Sequence, residues 1–257
     1  MTAFFRRHWL TAVFALLSVA VMFAAWALSW RVNGNEIIVP SPGSTLSQFF
    51  KLFGEGAFWK ALGMTLVRTL LAVLISFLLA ALCTVLGLVY APFKAFFAPV
   101  IAVCRTVPTV AVTLVIMLTF KAFTPVVVTV LVVFPMFYSQ ISAAVDGIDG
   151  GLLDMAKVYN VKKSAVLTKI VIPQIAPAII MQLGAVISFG LKLTTSAEIL
   201  SYVSSGIGDM IKSANFATEI ARLSALTLAS VAVGLLIEGA FFIITKVSFR
   251  WRRACSQ

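Results

Sequence analysis

A few charged residues lie inside apolar stretches of this sequence, and they are its first candidates for chemistry. These residues are Arg68, Arg105, Lys192, Glu198 and Glu238. A charge in an apolar stretch is costly to bury, so it usually has a functional or pairing role. We interpret Glu238 as half of a structural ion pair. The other four are the candidate pathway residues. Three of them, Arg68, Arg105 and Lys192, are cations that would attract anions if they lined one passage. The alternatives are that Arg68 and Lys192 snorkel to the membrane interface and that Arg105 forms an internal structural pair.

Catalytic chemistry finds little support in the sequence. It contains a single histidine, His8, and three cysteines, Cys83, Cys104 and Cys255, so no Ser/His/Asp or Cys/His set is predicted. No carboxylate or cysteine spacing indicates a metal site. No Gly-x-x-x-x-Gly-Lys-Ser/Thr phosphate loop occurs, so any ATP that drives this protein is hydrolysed on another chain. We expect no enzyme, and no cofactor in this chain.

A polar segment from Asp146 to Pro173 interrupts the apolar sequence. Asp149 is a candidate N-cap, Asp154 is expected in the first helical turn, where it can pair with Lys157, and Asn160 is a candidate left-handed stop. A second helical run carries three lysines, and Pro173 opens a new helix. Four residues share one apolar helical face by their i, i+3, i+4, i+7 spacing, namely Leu152, Met155, Ala156 and Tyr159. This face packs either on the chain's own helices or on a partner.

The composition predicts a protein of the lipid bilayer. Apolar residues make up 61% of the 257 residues, and charged residues only 11%, less than half of the usual share of about 25%. The net charge of +11 does not indicate nucleic-acid binding, because basic residues cluster at the ends of apolar runs. The first apolar run is too long for a signal peptide and is interpreted as a retained span.

We therefore predict an all-α polytopic bundle of about six transmembrane helices, forming a single domain over residues 1–257. Pro108 should kink the third of them, and residues 45–53 form an amphipathic surface helix. The predicted spans are 9–30, 61–89, 96–119, 124–143, 174–197 and 222–245. An even number places both termini on one side, and the basic N-terminus, tail and 157–169 segment make that side cytoplasmic.

The polar segment resembles the signature loop of ABC-importer permeases, which runs Glu-Ala-Ala, three residues, Gly, nine residues, Ile-x-Leu-Pro. In register, Asp154, Met155 and Ala156 take the first three places and Asn160 that of the glycine. The loop ends on Ile170, Ile172 and Pro173. The likeness extends over residues 38–245, closest to the nitrate, sulfonate, taurine and bicarbonate group. It rests there on Val39-Pro-Ser-Pro, Thr65-Leu-Val-Arg, Arg105-Thr-Val-Pro, Ser196-Ala-Glu and Gly206-Ile-Gly.

The resemblance implies a permease subunit of an ATP-driven importer in the bacterial inner membrane. In that family, two permease subunits surround a channel, and an extracytoplasmic binding protein delivers cargo. A cytoplasmic ATPase dimer, which binds ATP and Mg²⁺, receives the signature loop as a coupling helix; here that means residues 152–163. The implied cargo is a small anion or organic solute such as a sulfonate, nitrate or vitamin precursor. The alternatives are an ATP-independent transporter or channel, and a membrane scaffold.

Overall fold

The structure, a computed structural model, describes the backbone of residues 2–248, and side chains from residue 13 onward except 15, 91, 163, 247 and 248. The predicted basic tail beyond residue 248 therefore lies outside the described residues. The described residues form helices joined by short turns and contain no strand, which confirms the all-α prediction. Its helices are α1 (Thr2–Asn33), α2 (Pro42–Leu52), α3 (Gly56–Val89), α4 (Ala91–Thr106), α5 (Thr109–Phe120), α6 (Thr124–Asp146), α7 (Gly150–Val158), α8 (Lys163–Val166), α9 (Ile172–Leu200), α10 (Ile207–Phe216) and α11 (Ile220–Ser248).

Five helical stretches of the described chain are long and apolar enough to cross a membrane. They are Leu16–Asn33, Gly56–Val89, Thr109–Asp146, Ser164–Leu200 and Ile220–Lys246. A crossing takes about 20 residues at a rise of 1.5 Å per residue. The 34 residues of α3 and the 29 of α9 exceed that length, so these helices cross at a tilt or extend beyond the bilayer.

The predicted third span, residues 96–119, is a broken helix rather than a kinked one. Val107 and Pro108 have extended backbones and separate α4 from α5. Proline has no N–H to donate and disfavours helical backbone in the residue before it, which accounts for the break. The chain then reverses at a 3₁₀ turn, Lys121–Phe123, where Lys121 has a φ of 44°. As a result, α4 and α5 both pack against α6, which follows the turn.

The packing of the helices divides the chain into two compact units. The larger comprises Trp59–Asp209 and the residues from Ser230 onward, and its core lies where α6 packs against α9. Phe137 of α6 is fully buried there and meets the ring of Phe77 edge-on, at 5.5 Å between centroids. The hydroxyls of Thr129 and Thr194 are 3.0 Å apart across the same interface. This core fixes the positions of the helices that carry the candidate sites.

The smaller unit comprises the residues up to Phe58 and Met210–Ala229. Ser41 caps α2 by accepting a hydrogen bond from the Ser44 N–H at 3.0 Å. The helix predicted over residues 45–53 is present within α2, and its location at the membrane surface stays a prediction. Glu55 and Arg222 form an ion pair at 2.6 Å within this unit. The prediction of one transmembrane domain over residues 1–257 stays a prediction.

Candidate functional site

The polar segment forms α7, a short helix with well-defined ends. Asp149 is the N-cap, as predicted, and its carboxylate accepts from the Gly151 N–H at 2.9 Å. At the other end Asn160 has a φ of 50°, the left-handed conformation expected of it. The Val161 N–H bonds to the Ala156 carbonyl at 2.9 Å, and the Asn160 N–H bonds to the Lys157 carbonyl at 3.1 Å. These two bonds make a Schellman cap, in which asparagine replaces the more usual glycine.

The apolar face of α7 is divided between the chain's interior and solvent. Ala156 is buried, with 6% of its surface exposed. Leu152, Met155 and Tyr159 on the same predicted face are 40%, 56% and 75% exposed, and neighbouring Val158 is 77% exposed. At 100° per residue, the exposed apolar side chains cover an arc of about 120°. A soluble surface rarely carries such a set on one small helix, so this arc indicates a docking surface.

The charged side of α7 differs from the prediction in one detail. Asp154 and Lys157 pair at 2.8 Å, as their spacing predicts. The helix begins at Gly150, so Asp154 lies in its second turn, and the expectation of a first-turn carboxylate is wrong. Both side chains are more than two-thirds exposed, and such a pair contributes little to stability. Its place opposite the apolar arc instead keeps that side of the helix in water.

Beyond the cap, the chain turns into α8 and a π-helical turn, Leu167–Val171, which leads directly into α9. Pro173 lies in the first turn of α9, where its missing N–H costs no hydrogen bond, as predicted. A short non-helical connection, residues 159–162, thus joins α7 to the helical run that continues into the 29-residue α9.

A second polar cluster lies toward the far end of α9. Glu198 has no exposed surface and forms an ion pair with Arg68 of α3 at 2.7 Å. Its other oxygen accepts from the Thr65 hydroxyl at 2.9 Å and from the Gly208 N–H at 3.1 Å. Arg68 also donates to the Ser205 carbonyl and, at 2.9 Å, to the Ser205 hydroxyl. We call Thr65, Arg68, Glu198, Ser205 and Gly208 the α3–α9 clasp.

The clasp depends on two glycines. A Cβ on Gly206 would lie 2.5 Å from both carboxylate oxygens of Glu198, and the φ of +126° there is rarely adopted by other residues. A Cβ on Gly208 would lie 2.4 Å from the Glu198 Cβ and 2.5 Å from the Thr195 carbonyl oxygen. The Gly-Ile-Gly sequence therefore lets the backbone approach a buried carboxylate closely enough to donate to it.

The four candidate pathway residues do not form one group. Arg68 and Glu198 are joined in the clasp, so each charge is compensated by the other. Arg105 and Lys192 are exposed, and Arg105 donates a hydrogen bond of 3.5 Å to the Pro135 carbonyl. Glu238 is also exposed, and no ion pair joins it to a described residue. The pathway role of the four stays a prediction, and the geometry favours a structural role for Arg68 and Glu198.

Two partners in the clasp have no role assigned from the sequence, although Thr65 begins the Thr65-Leu-Val-Arg tetrapeptide of the family resemblance. The carboxylate of Glu198 needs Thr65, and the guanidinium of Arg68 needs Ser205, yet neither hydroxyl residue stands out in composition. The sequence signal that links Thr65 to Arg68 is their i, i+3 spacing, which puts both residues on one face of α3. Among the described residues, no group of three or more His, Cys, Asp or Glu is placed to hold a metal ion.

These features define a class: an integral membrane protein of long apolar helices with one short helix, α7, whose apolar side chains are largely exposed. A family model described as "Binding-protein-dependent transport system inner membrane component" matches residues 83–253. The chain belongs to this family. It is an integral inner-membrane protein, a permease subunit of an ABC importer, and a transport component rather than an enzyme. An ATP-independent transporter and a scaffold are thereby set aside.

Two sequence relatives are also named as permease proteins. The Bacillus subtilis protein "Putative aliphatic sulfonates transport permease protein SsuC" is 25% identical over 244 residues, 93% of this chain and 87% of that protein. The Haemophilus influenzae "Probable ABC transporter permease protein" is 24% identical over 233 residues, 86% of this chain and 90% of that protein.

Solved structures share the fold. A bacterial ABC transporter for import of the acidic polysaccharide alginate superposes with a TM-score of 0.67 at 17% identity, covering 95% of this chain and 98% of that chain. The inward-facing MetNI methionine ABC transporter gives a TM-score of 0.63 at 15% identity, covering 76% of this chain and 95% of that chain.

Proposed function

We propose that this chain forms half of the transport pathway of an ATP-driven importer and is moved by a separate ATPase that grips α7. Two permease subunits, two ATPase subunits and an extracytoplasmic binding protein make up the working complex. ATP and Mg²⁺ bind to the ATPase subunits, and ATP-driven closure of these subunits displaces α7. The movement passes through the π-helical turn into α9 and opens the pathway toward the outside.

The observation that carries this proposal is the exposed apolar arc of α7. Met155, Val158 and Tyr159 are each more than half exposed, although the helix itself is fixed at both ends by its caps. Transfer of each of these side chains into a partner's cleft contributes about 1 to 2 kcal/mol from the area that it removes from water. The cleft binds α7 more tightly in one ATPase state than in the other. This difference in binding free energy favours one position of α7 and so one state of the pathway.

Orientation follows from charge. Lys157, Lys162 and Lys169 lie in or just after α7, and Lys94 pairs with Asp146 near the same end of the bundle. An excess of basic residues marks the cytoplasmic side, so α7 faces the compartment that contains the ATPase. The broken α4–α5 pair counts as one crossing antiparallel to α6, which gives six crossings with both termini inside. The clasp and the Ser201–Asn215 region then lie toward the outer face, where the binding protein docks.

The proposed cargo is a small anion of the organic sulfonate type. Two features support it: Arg105 and Lys192 are exposed charges in the apolar region, and a relative of 25% identity is named for aliphatic sulfonates. A cation within the bilayer that faces water rather than lipid favours anions in a pathway. The binding protein supplies further selectivity.

The test uses matched aspartate substitutions of two exposed tyrosines. Tyr159 on α7 is 75% exposed and Tyr202, near the clasp, is 74% exposed. We expect Tyr159→Asp to abolish co-purification of the co-expressed cognate ATPase, because the carboxylate would have to be desolvated in the cleft. Tyr202→Asp should leave co-purification unchanged. Equal retention of the ATPase by both variants, with both chains folded and inserted, would refute α7 as the docking element.

A further inference from the structure

A polar groove runs along the contact between α4 and α6. It is a cavity of about 370 Å³ whose lining includes Lys94, Ala98 and Arg105 from α4 and Ser139, Ser142 and Asp146 from α6. Two contacts set the register of the helices: Lys94 meets Asp146 at 3.4 Å, and Arg105 meets the Pro135 carbonyl at 3.5 Å. Both pairs of positions are eleven residues apart on their helices, so α4 and α6 lie antiparallel along the groove.

The groove reaches from one end of α6 to about mid-depth in the bilayer. Eleven residues of helix span about 16 Å, roughly half of the hydrocarbon thickness. Arg105 therefore lies near the middle of α6, a helix of 23 residues, and is nevertheless exposed. An arginine at that depth faces water or a protein partner rather than lipid, because its charge is costly in hydrocarbon.

The break after α4 is a second feature that needs a non-lipid environment at the same place. Thr106 and Pro108 are exposed, and no side chain caps the start of α5. Irregular backbone at membrane depth occurs only where it is buried in protein or lines a water-filled cavity. These residues adjoin Arg105 and are exposed in the chain, so an aqueous passage along the groove would accommodate both the break and the charge.

The electrostatics of the groove favour negative solutes. Lys94 and Arg105 supply two positive charges and Asp146 one negative charge, which leaves one excess cation. Asp146 is paired with Lys94 at the end nearest α7, so the Arg105 guanidinium, which forms no ion pair with a described residue, lies at the end of the groove deeper in the bilayer. Ser142 lines the same groove between Arg105 at one end and the Lys94–Asp146 pair at the other.

We propose that the α4/α6 groove is the cytoplasmic half of an anion passage. Arg105 is its anion contact at mid-depth in the bilayer. Ser139 and Ser142 line its wall, and the Lys94–Asp146 pair lies at its cytoplasmic mouth. The inference deepens the proposed function, since it names the wall of the pathway and its charge selectivity. An anion leaving the central pathway moves from Arg105 past the serine hydroxyls to Lys94. The Lys94–Asp146 ion pair at the mouth breaks and re-forms without changing the net positive charge of the groove.

The experiment measures thiol accessibility and does not depend on knowing the cargo. Cysteine is placed at Ser142 in the full-length chain with its three native cysteines replaced, reconstituted in liposomes. The chain is treated with a sulfonate-bearing anionic methanethiosulfonate or a trimethylammonium-bearing cationic one, and both rates are normalised to a free thiol. We expect the anionic reagent to be favoured about fivefold, the scale of one unit charge acting across a partly aqueous groove. Arg105→Gln should remove this preference.

Two further cysteine positions serve as controls. Val103→Cys, on the opposite side of α4 and 59% exposed in the chain, should react with neither reagent because it faces lipid. Ala98→Cys, on the groove wall, repeats the measurement if the Ser142 variant does not fold. Equal normalised rates for both reagents, no reaction at either groove position, or a preference unchanged by Arg105→Gln would overturn the proposal. ATPase co-purification is measured on the same samples, so failure of α7 docking is a separate result.

Discussion

Gly208→Ala is the sharpest perturbation of the α3–α9 clasp. The added Cβ would lie 2.4 Å from the Glu198 Cβ, 2.5 Å from the Thr195 carbonyl oxygen and 2.9 Å from the Ile199 N. Carbon atoms in van der Waals contact are about 3.5 to 4.0 Å apart, so the start of α10 must move by about 1 Å or more. None of these three atoms is the free end of a flexible side chain, so the backbone has to move.

The energetic cost has two parts. Overpacking of this kind costs about 1 to 3 kcal/mol. The same movement lengthens the bond between the Gly208 N–H and Glu198, now 3.1 Å, beyond hydrogen-bonding distance. Loss of a hydrogen bond to a charged group costs about 1.5 to 3 kcal/mol. The preference of a helix for alanine over glycine returns at most about 1 kcal/mol. We expect a net loss of about 2 to 5 kcal/mol in the free energy of unfolding.

Thermal unfolding of the purified chain in detergent measures this effect. At about 2 to 4 °C for each kcal/mol in a chain of this size, the midpoint should fall by roughly 4 to 20 °C. Gly63→Ala is the control, because Gly63 lies on the same helix as Arg68 and an added Cβ there meets nothing within 4 Å. It should be neutral or slightly stabilising. If both variants unfold at the same temperature, the close approach at Gly208 does not hold the clasp together.

Three further predictions concern the charges and caps. Arg68→Met should cost about 3 to 5 kcal/mol of unfolding free energy because it leaves Glu198 buried without its cation, whereas Arg68→Met with Glu198→Met should recover part of that loss; equal midpoints for the single and double variants would contradict this. Asn160→Val should destabilise by about 1 to 2 kcal/mol and Asn160→Gly should not, since a β-branched residue is strained at a φ of 50°; thermal midpoints compare the two. Asp149→Ala should weaken ATPase co-purification through a loss of about 1 kcal/mol of helix stability, and Asp149→Ser should retain most of it.

Sequence patterns predicted those parts of the fold that depend on local interactions. Asp149, Asn160 and Pro173 act at helix ends, where each residue's own side chain or ring selects the backbone conformation, so their roles could be inferred in advance. The long helices were predicted for a similar reason, because apolar composition over some 20 residues is itself the requirement for crossing a bilayer. Within the third span, Pro108 was recognised, but whether it kinks or breaks the helix depends on what surrounds it.

The sites could not be assembled from the sequence because they join residues that are far apart in it. Arg68 and Glu198 are 130 residues apart, and nothing in either apolar stretch specifies the other as its partner. The division of the α7 face is similar: helical spacing placed Ala156 and Tyr159 together, but only tertiary packing decides that one is buried and the other is exposed. Arg105 gives the converse case. Its apolar neighbours suggested a buried charge, whereas the break at Pro108 and the groove along α6 leave it exposed. The two arginines therefore have opposite surroundings: Arg68 is paired with Glu198 between two helices, and Arg105 is exposed beside the groove.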